Sequence, residues 1–286
     1  MYDRDVLTAT SETRIGNAGM RITLAFERQV RGTVIRRENL AFDTRFAAAA
    51  AGRIEDVGHV FLLLAGRFVP TDGEPVHAPV AFVLGDDEQE RVTARSRTFR
   101  TDGERVDVIQ IRLDRRALAV PIGLAAGPLA IAPACWDAAG HVIHEPTAIG
   151  VLLDAFAATG ITRGPVAIHD EPERYRRIWE ALRPLYQTYG GTASLKQLAG
   201  SLGMSMRQVG RDAKDMAATF GFGTGYRDTL LVLRLRIAVL LLSAPGATVA
   251  EVATIVGYGS PIAMARAFRD AKLPAPTAVQ ASLRGE

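Results

Sequence analysis

The chain has 286 residues, 48% of them hydrophobic and 23% charged, a composition that suits two soluble domains of ordinary size. The formal net charge is only +3, but residues 175–286 carry 14 Arg and Lys against 7 Asp and Glu, whereas the remainder carries 20 against 24. A basic C-terminal part beside an acidic N-terminal part suits one half that meets phosphate and one that does not.

Cys135 is the only cysteine, which excludes an intrachain disulfide and indicates a reducing compartment. We expect it to be an ordinary packed residue. Residues 1–14 are polar and charged and lack the apolar stretch of a signal peptide. The uncharged run Ala117–Trp136 is long enough to span a membrane, but its prolines and glycines argue against a spanning helix. We predict a buried, irregular crossing there, no membrane association and a cytoplasmic location.

Residues before about 162 are predicted to be mixed in structure, with strands leading. Short apolar or alternating stretches predict strands at Val60–Leu64, Val80–Leu84 and Val106–Leu113, and Asp-Gly or Gly-Asp turn signals separate them. Regular spacing of short strands favours a sandwich or a barrel.

Helical patterns follow the strands at Trp136–Ala139 and Thr147–Ala158. In the second of these, one apolar stripe suits core or dimer packing better than a ligand site, and it consists of Ile149, Leu152, Leu153 and Phe156. The Gly- and Pro-containing stretch Thr162–Arg174 is predicted to be a linker. Two longer helices are predicted beyond it, from Tyr175 to about Tyr189 and over Tyr226–Leu242.

A motif occurs twice in the C-terminal part. Both copies have a hydroxyl residue, an acceptor three residues later, an alanine and a glycine, in the order Ser194, Gln197, Ala199, Gly203 and Thr248, Glu251, Ala253, Gly257. The first two residues of each copy fit a capping box, and the glycine can adopt the positive φ that ends a helix. Each copy outlines a helix-turn-helix, and two in tandem predict DNA binding. A generic small helical domain with similar hairpins is the alternative.

The second helix of each motif has its own start signal. Ser205 with Gln208 is a further capping box, and Ser260 is followed by Pro261, which suits the first helical position. The helix over Tyr226–Leu242, about 25 Å long at about 1.5 Å per residue, is predicted to set the separation of the two motifs. Both second helices could then meet one face of a DNA duplex.

Residues 175–284 resemble the AraC/XylS family of bacterial transcription regulators. The most specific match runs from Thr248 to Ser260 and continues at Arg266–Arg269 and Pro276. The first motif and the helix between the motifs match through Met204, Ser205, Arg207, Val209, Arg211, Arg234 and Ala238.

The resemblance implies an α+β protein with two domains. Residues 1–165 are expected to form a strand-rich, mixed domain of cupin-like type that binds an effector or dimerises. Residues 175–286 are expected to form an all-α domain with two helix-turn-helix motifs joined by a linker helix. The implied function is sequence-specific regulation of transcription rather than catalysis. The implied partners are double-stranded DNA, a second copy of the chain, a small-molecule effector and, for an activator, RNA polymerase.

The resemblance also carries over DNA-contacting residues, which are Ser205, Met206, Arg207, Gln208, Arg211, Ser260, Arg266 and Arg269. Arg207 and Arg211 lie four residues apart on one helix face, and either can pair with guanine O6 and N7. Alternatively Arg211 pairs with Asp212 or Asp215, and Arg266 stabilises the fold.

Two positions depart from the family pattern. Gly210 has no side chain, so a contact that the family often makes there cannot form. In the second motif Pro261, Ile262 and Ala263 stand where the family usually has polar or hydroxyl residues. We therefore expect the first motif to read sequence and the second mainly to hold the DNA backbone.

No metal site is expected in the N-terminal half. Cupin-like domains that bind metal place closely spaced His and carboxylate ligands on neighbouring strands. Here His59 and His77 are isolated, His141 and His144 lie in a helical or loop region, and no His-x-His pattern with a downstream Glu occurs. We predict no metal, no cofactor and no catalytic residue. The alternative hypothesis is a cupin-like enzyme with an appended helical domain.

Overall fold

A computed structural model describes residues 7–15, 18–29, 34–42, 47–48, 57–68, 74–85, 99–100, 106–122, 128–145, 148–166, 168–169, 173–191, 193–220, 225–242, 244, 246–271 and 273–284. The strands are β1 (Leu7–Ile15), β2 (Ala18–Gln29), β3 (Val34–Phe42), β4 (Ala47–Ala48), β5 (Val57–Ala65), β6 (Arg67–Phe68), β7 (Val76–His77), β8 (Val80–Gly85), β9 (Phe99–Arg100), β10 (Val106–Asp114) and β11 (Ile168–His169).

The main sheet is antiparallel and has the strand order β1-β2-β3-β10-β5-β8, with β11 paired to β2. Its predicted strands at Val60–Leu64, Val80–Leu84 and Val106–Leu113 are confirmed as parts of β5, β8 and β10. Strands β1, β2 and β3 were not predicted from the sequence. The sandwich or barrel, and its cupin-like type, stay predictions.

Strands β5 and β10 are covered on both faces. Their register places Leu62 opposite Ile109 and Leu63 opposite Val108, and all four side chains are buried. Successive residues of a strand point to opposite faces. Leu62 and Ile109 join a core with helices α1 (Pro133–His144) and α2 (Ile149–Ala158), whereas Leu63 and Val108 join a core with the C-terminal helices.

The helices α1 and α2 confirm the helical patterns around residues 136 and 150. The predicted apolar stripe of α2 is buried and consists of Ile149, Leu152, Leu153 and Phe156. Cys135 is fully buried in α1, with Sγ 3.4 Å from the Thr159 hydroxyl, as expected of a packed residue.

The prediction of a buried, irregular crossing over Ala117–Trp136 was partly wrong. The described residues before Pro133 are irregular, but helix α1 begins at Pro133. Proline suits this first helical position because the N–H that it lacks has no partner there. Much of the run is not buried either, since Ala119, Pro121 and Pro128 are exposed. Residues 123–127 lie outside the described residues. Within the described part of the chain, no helix is long and apolar enough to cross a membrane.

The C-terminal part consists of helices α3 (Glu173–Thr188), α4 (Leu195–Leu202), α5 (Met206–Phe220), α6 (Tyr226–Leu242), α7 (Val249–Ile255), α8 (Pro261–Asp270) and α9 (Pro276–Arg284). The predicted helix over Tyr226–Leu242 is confirmed as α6. Residues 237–242 of α6 are all buried, so the other helices surround this end of it.

The predicted linker at Thr162–Arg174 contains structure of its own. Thr162 bridges to Leu118, and β11 pairs with β2. Helix α3 begins at Glu173, two residues earlier than predicted, and its buried Ile178, Trp179 and Leu182 share a core with residues of the sheet. The domain boundaries at 165 and 175 stay predictions.

Candidate nucleic-acid interface

The first motif, residues 194–220, is called the first module, and the second, residues 248–270, the second module. In the first module the Ser194 hydroxyl accepts from the Gln197 amide at 3.1 Å, and Gln197 Oε1 accepts from the Ser194 amide at 2.7 Å. The predicted capping box is therefore formed. Of the capping box predicted at the start of α5, the structure shows one hydrogen bond, in which the Ser205 hydroxyl accepts from the Gln208 amide at 3.2 Å.

The second module repeats the hydroxyl caps, and of the predicted Thr248–Glu251 capping box the structure shows the cap half. Thr248 Oγ1 accepts from the Glu251 amide at 3.1 Å, and Ser260 Oγ accepts from the Ala263 amide at 3.1 Å. Pro261 occupies the first position of α8, as predicted. Each cap binds an amide that has no partner inside its own helix, which is why both short first helices have fixed starts.

The turns of the two modules have the same backbone hydrogen bonds. Gly203 and Gly257 both have positive φ, 63° and 79°. The next residue donates five positions back in each case: Met204 N to Ala199 O at 3.0 Å, and Tyr258 N to Ala253 O at 2.8 Å. This is the Schellman arrangement, which satisfies carbonyls left open at a helix end.

A joint formed by Gly190, Gly191, Arg234, Gly257 and Tyr258 connects the second module to α6 and to the segment between α3 and the first module. A Cβ added to Gly257 would lie 2.9 Å from both Cα and O of Gly190, so the two backbones touch. Arg234 on α6 donates from Nη2 to Gly191 O at 2.9 Å, and its guanidinium lies 5.9 Å from the Tyr258 ring centroid. One linker-helix side chain thus contacts the second module and the segment that precedes the first module.

The phenol of Tyr258 is held neutral in this joint. Burial raises the pKa of Tyr258, and the positive charge of Arg234 opposes part of that rise. Burial likewise raises the pKa of Tyr226, whose hydroxyl donates to Ala193 O beside the first module.

The sequences of helices α5 and α8 can be aligned by placing their serine caps, Ser205 and Ser260, at the same position. This alignment is called the serine register. The inward positions then match, and they are Val209 with Met264 and Ala213 with Phe268, all buried. The outward positions match as well, and they are Arg207 with Ile262, Arg211 with Arg266 and Lys214 with Arg269, all exposed.

These outward residues define an outer face on each helix. Spacings of four and seven residues put them in one row along a helix, at about 100° per residue. The outer face of α5 is basic throughout, with Arg207, Arg211 and Lys214. The outer face of α8 has Arg266 and Arg269 beyond the apolar Ile262.

Both outer faces keep their arginines available. Arg211 Nε lies 3.6 Å from Asp212 Oδ1, yet 69% of the Arg211 side chain is exposed. Arg269 Nε lies 3.7 Å from Asp270 Oδ1 with 75% of its side chain exposed. The Arg269–Asp270 pair is exposed on both sides, and such pairs contribute only about 0–1 kcal/mol, so a phosphate can replace its carboxylate. In the Arg211–Asp212 pair the carboxylate is buried, and only the arginine faces solvent.

Asp215, the other predicted partner of Arg211, lies 3.7 Å from Arg174. The pKa of Arg174 is raised, chiefly by its hydrogen bond to the Tyr175 hydroxyl and to a smaller extent by Asp215.

The predicted site residues fall into two groups. Ser205 and Ser260 are helix caps, and their hydroxyls are engaged with backbone amides. The remaining residues are exposed, and they are Met206, Arg207, Gln208, Arg211, Arg266 and Arg269. Their contact with DNA stays a prediction. Sequence reasoning did not name Lys214, which the serine register places opposite Arg269.

The N-terminal half contains a cavity of about 450 Å³ with three arginines and three aliphatic side chains on its walls, namely Arg115, Arg116, Arg163, Leu118, Val120 and Ile122. Two backbone hydrogen bonds fix the walls: Ala119 N to Ile161 O at 2.9 Å, and Arg163 N to Ala117 O at 2.8 Å. Cationic and aliphatic groups together suit a small anion with an apolar portion.

No group of three or more His, Cys, Asp or Glu residues that could hold a metal ion is found where the structure describes the chain. His59 is buried in β5, and its Nδ1 lies 2.9 Å from Nε2 of Gln110 on β10. His141 is exposed on α1.

No protein-family model matches the sequence, and no curated protein matches it. Among solved structures, the DNA-binding transcriptional dual regulator from Escherichia coli K-12 is 22% identical, with a TM-score of 0.31 over 38% of this chain and 97% of that one. The DNA-binding domain of AdpA in complex with a target DNA is 25% identical, with a TM-score of 0.34 over 38% and 94%. ToxT from Vibrio cholerae is 10% identical, with a TM-score of 0.38 over 87% and 98%. The functional assignment therefore depends on the chain's own residues.

Proposed function

We propose that this chain is a sequence-specific, double-stranded-DNA-binding transcription regulator of the AraC/XylS type and not an enzyme. The observation that supports this proposal most strongly is the serine register of α5 and α8. Two helices with the same cap and the same buried positions expose basic residues at the same two places, Arg211 with Arg266 and Lys214 with Arg269. A positive row on each second helix suits phosphates and base edges of a major groove.

The joint supports the same proposal. A protein that reads two successive grooves gains affinity from holding both second helices in a fixed relation before it binds. The contact between Gly190 and Gly257 and the two contacts of Arg234 support such a relation, because they tie the turn of the second module to α6 and to the segment that leads into the first module.

The decisive experiment is selection of duplexes from a randomised pool by the purified full chain, followed by mobility-shift titration of the selected duplex at several salt concentrations. We expect an enriched motif with two half-elements and an affinity that falls steeply with salt. The double variant Arg211→Ala/Arg266→Ala should lose binding. Arg177→Ala, an exposed arginine of α3, is the matched control and should keep it. Absence of both enrichment and mobility shift at low salt would overturn the proposal.

The N-terminal half is proposed to sense a small molecule, to form a homodimer, or both. The cavity walled by Arg115, Arg116 and Arg163 supports the first role. Thermal-shift screening with small carboxylates tests it, with Arg163→Gln as the variant expected to lose any response, and sedimentation tests the dimer. Failure here leaves DNA binding intact. As a regulator the chain would act in the cytoplasm, and an activator would also contact RNA polymerase.

A further inference from the structure

Ile262 is a large apolar residue on the surface of the second module. It is 75% exposed, and its neighbours Pro261 and Ala263 are exposed as well. Single exposed apolar residues are common on protein surfaces and need no explanation. Position distinguishes this one, because Ile262 heads the outer face that continues with Arg266 and Arg269.

The serine register sharpens the point. Ile262 stands where the first module has Arg207, while the next two outward positions are basic in both modules. If α8 enters the major groove as α5 does, the position of Ile262 faces base edges. The basic residues further along the helix are then placed to contact phosphates. The two modules therefore offer different chemistry at one equivalent position.

The chemistry of the groove limits what Ile262 can recognise. An isoleucine side chain neither donates nor accepts hydrogen bonds, so it cannot bind a phosphate or the polar edge of a base. The apolar group that a base pair presents in the major groove is the C5-methyl group of thymine. A branched aliphatic side chain and a methyl group gain free energy by excluding water between them.

We propose that Ile262 determines specificity by packing against the C5-methyl group of a thymine in the half-element bound by the second module. Arg207 takes a guanine at the equivalent place in the other half-element. This inference rests on the proposed function. It departs from the expectation that the second module mainly holds the DNA backbone.

The test uses the selected duplex and replaces each thymine of the second half-element, one at a time, by deoxyuridine. This change removes only the methyl group and keeps the base-pairing edge. For the unchanged chain we expect one position at which the Kd rises about fourfold, the loss of one buried methyl-sized group. For Ile262→Ala the same replacement should leave the Kd unchanged.

Val151→Ala is the matched control. Val151 is an exposed apolar residue, 56% accessible, on α2 and outside the candidate interface. That variant should keep the fourfold response to deoxyuridine in the second half-element. Because both side chains point into solvent, neither substitution should alter the thermal unfolding midpoint, which is measured alongside.

Three results would overturn the inference. The duplex is selected but no thymine in the second half-element responds to deoxyuridine. A responding thymine keeps its full response in Ile262→Ala. No duplex is selected at all, in which case the proposed function fails together with the inference, whereas the first two results leave DNA binding standing.

Discussion

Two positions after its serine cap the first module has Arg207, and the second module has Ile262, although both helices bury the same later positions. The turns also differ slightly. Gly203 is followed by Ser205 after one residue, but Gly257 is separated from Ser260 by Tyr258 and Gly259. The caps and backbone hydrogen bonds are nevertheless repeated. The scaffold is thus constrained by packing, whereas the outward residues are free to differ and can carry specificity.

The turn glycines should separate the two modules most strongly. Gly203→Ala is destabilised only by the strain of an alanine at positive φ, because no heavy atom lies within 4 Å of its added Cβ. Gly257→Ala meets the positive φ and also a clash 2.9 Å from the backbone of Gly190. We expect a loss of unfolding free energy of about 1–2 kcal/mol for the first variant and about 3 kcal/mol or more for the second. Urea unfolding measures both, and equal losses would contradict the close contact between Gly257 and Gly190.

The arginines of the outer faces come next. Arg207→Ala and Arg211→Ala should each lower the affinity for the selected duplex by about 1–3 kcal/mol. We expect Arg207→Ala also to relax the preference at one base pair, whereas Lys214→Ala and Arg269→Ala should weaken all duplexes alike and lower the salt slope by about one. Titrations of specific and unrelated duplexes over a range of salt separate these cases. Unchanged footprints for both Arg207→Ala and Arg211→Ala would reject the interface.

The serine caps should respond equally. Ser205→Ala and Ser260→Ala each remove one hydrogen bond of nearly the same length, 3.2 and 3.1 Å, to an amide in the first turn. A loss of about 1 kcal/mol in unfolding free energy is expected for each. Ser→Asp at the same positions is the control, because aspartate caps a helix as well as serine does. A much larger loss for one of them would show that the modules differ in more than their outward residues.

The helices and turns of the C-terminal part could be predicted from the sequence because their signals are local. The hydroxyl caps, the two turn glycines and the apolar spacing of α6 are signals that lie within a few residues of each other. The joint could not be predicted, because the contact of Gly190 with Gly257 joins residues far apart in the chain. Lys214 would have been found by registering the two helices on Ser205 and Ser260.

In the N-terminal sheet only the neighbouring strands β10, β5 and β8 were predicted from the sequence. Strands β5, β8 and β10 are apolar runs, and burial of both faces of β5 and β10 explains why. Strand β1, by contrast, has mostly polar residues, LTATSETRI, and lies at the sheet edge. Strand β3 has the polar stretch RREN in its middle. Their pairing depends on backbone hydrogen bonds to neighbouring strands. Gly16-Asn17, the two residues between β1 and β2, is a short-range hairpin signal that sequence reasoning missed.

The smallest expected difference in stability concerns Tyr258. This residue follows the turn glycine of the second module, as Met204 follows that of the first. Its hydroxyl is buried and has no hydrogen-bond partner among the described residues. Tyr258→Phe keeps the ring beside Arg234 and removes a hydroxyl that is costly to bury. We therefore expect the unfolding free energy at pH 7 to change by less than about 1 kcal/mol, with either no loss or a small gain.

The pH dependence supplies the second part of this prediction. Burial raises the pKa of folded Tyr258 above the ordinary value of about 10, so the unfolded chain loses this proton first as the pH rises. The contribution of Tyr258 to stability is intact below pH 10 and is lost as the pH rises through the raised folded value. The phenylalanine variant should lose less stability than the unchanged chain between pH 9 and pH 11, because the other tyrosines are common to both. If the two chains fall in parallel over that range, or if the variant is clearly weaker at pH 7, then the Tyr258 hydroxyl is solvated or bonded, and the joint is looser than its backbone contacts imply.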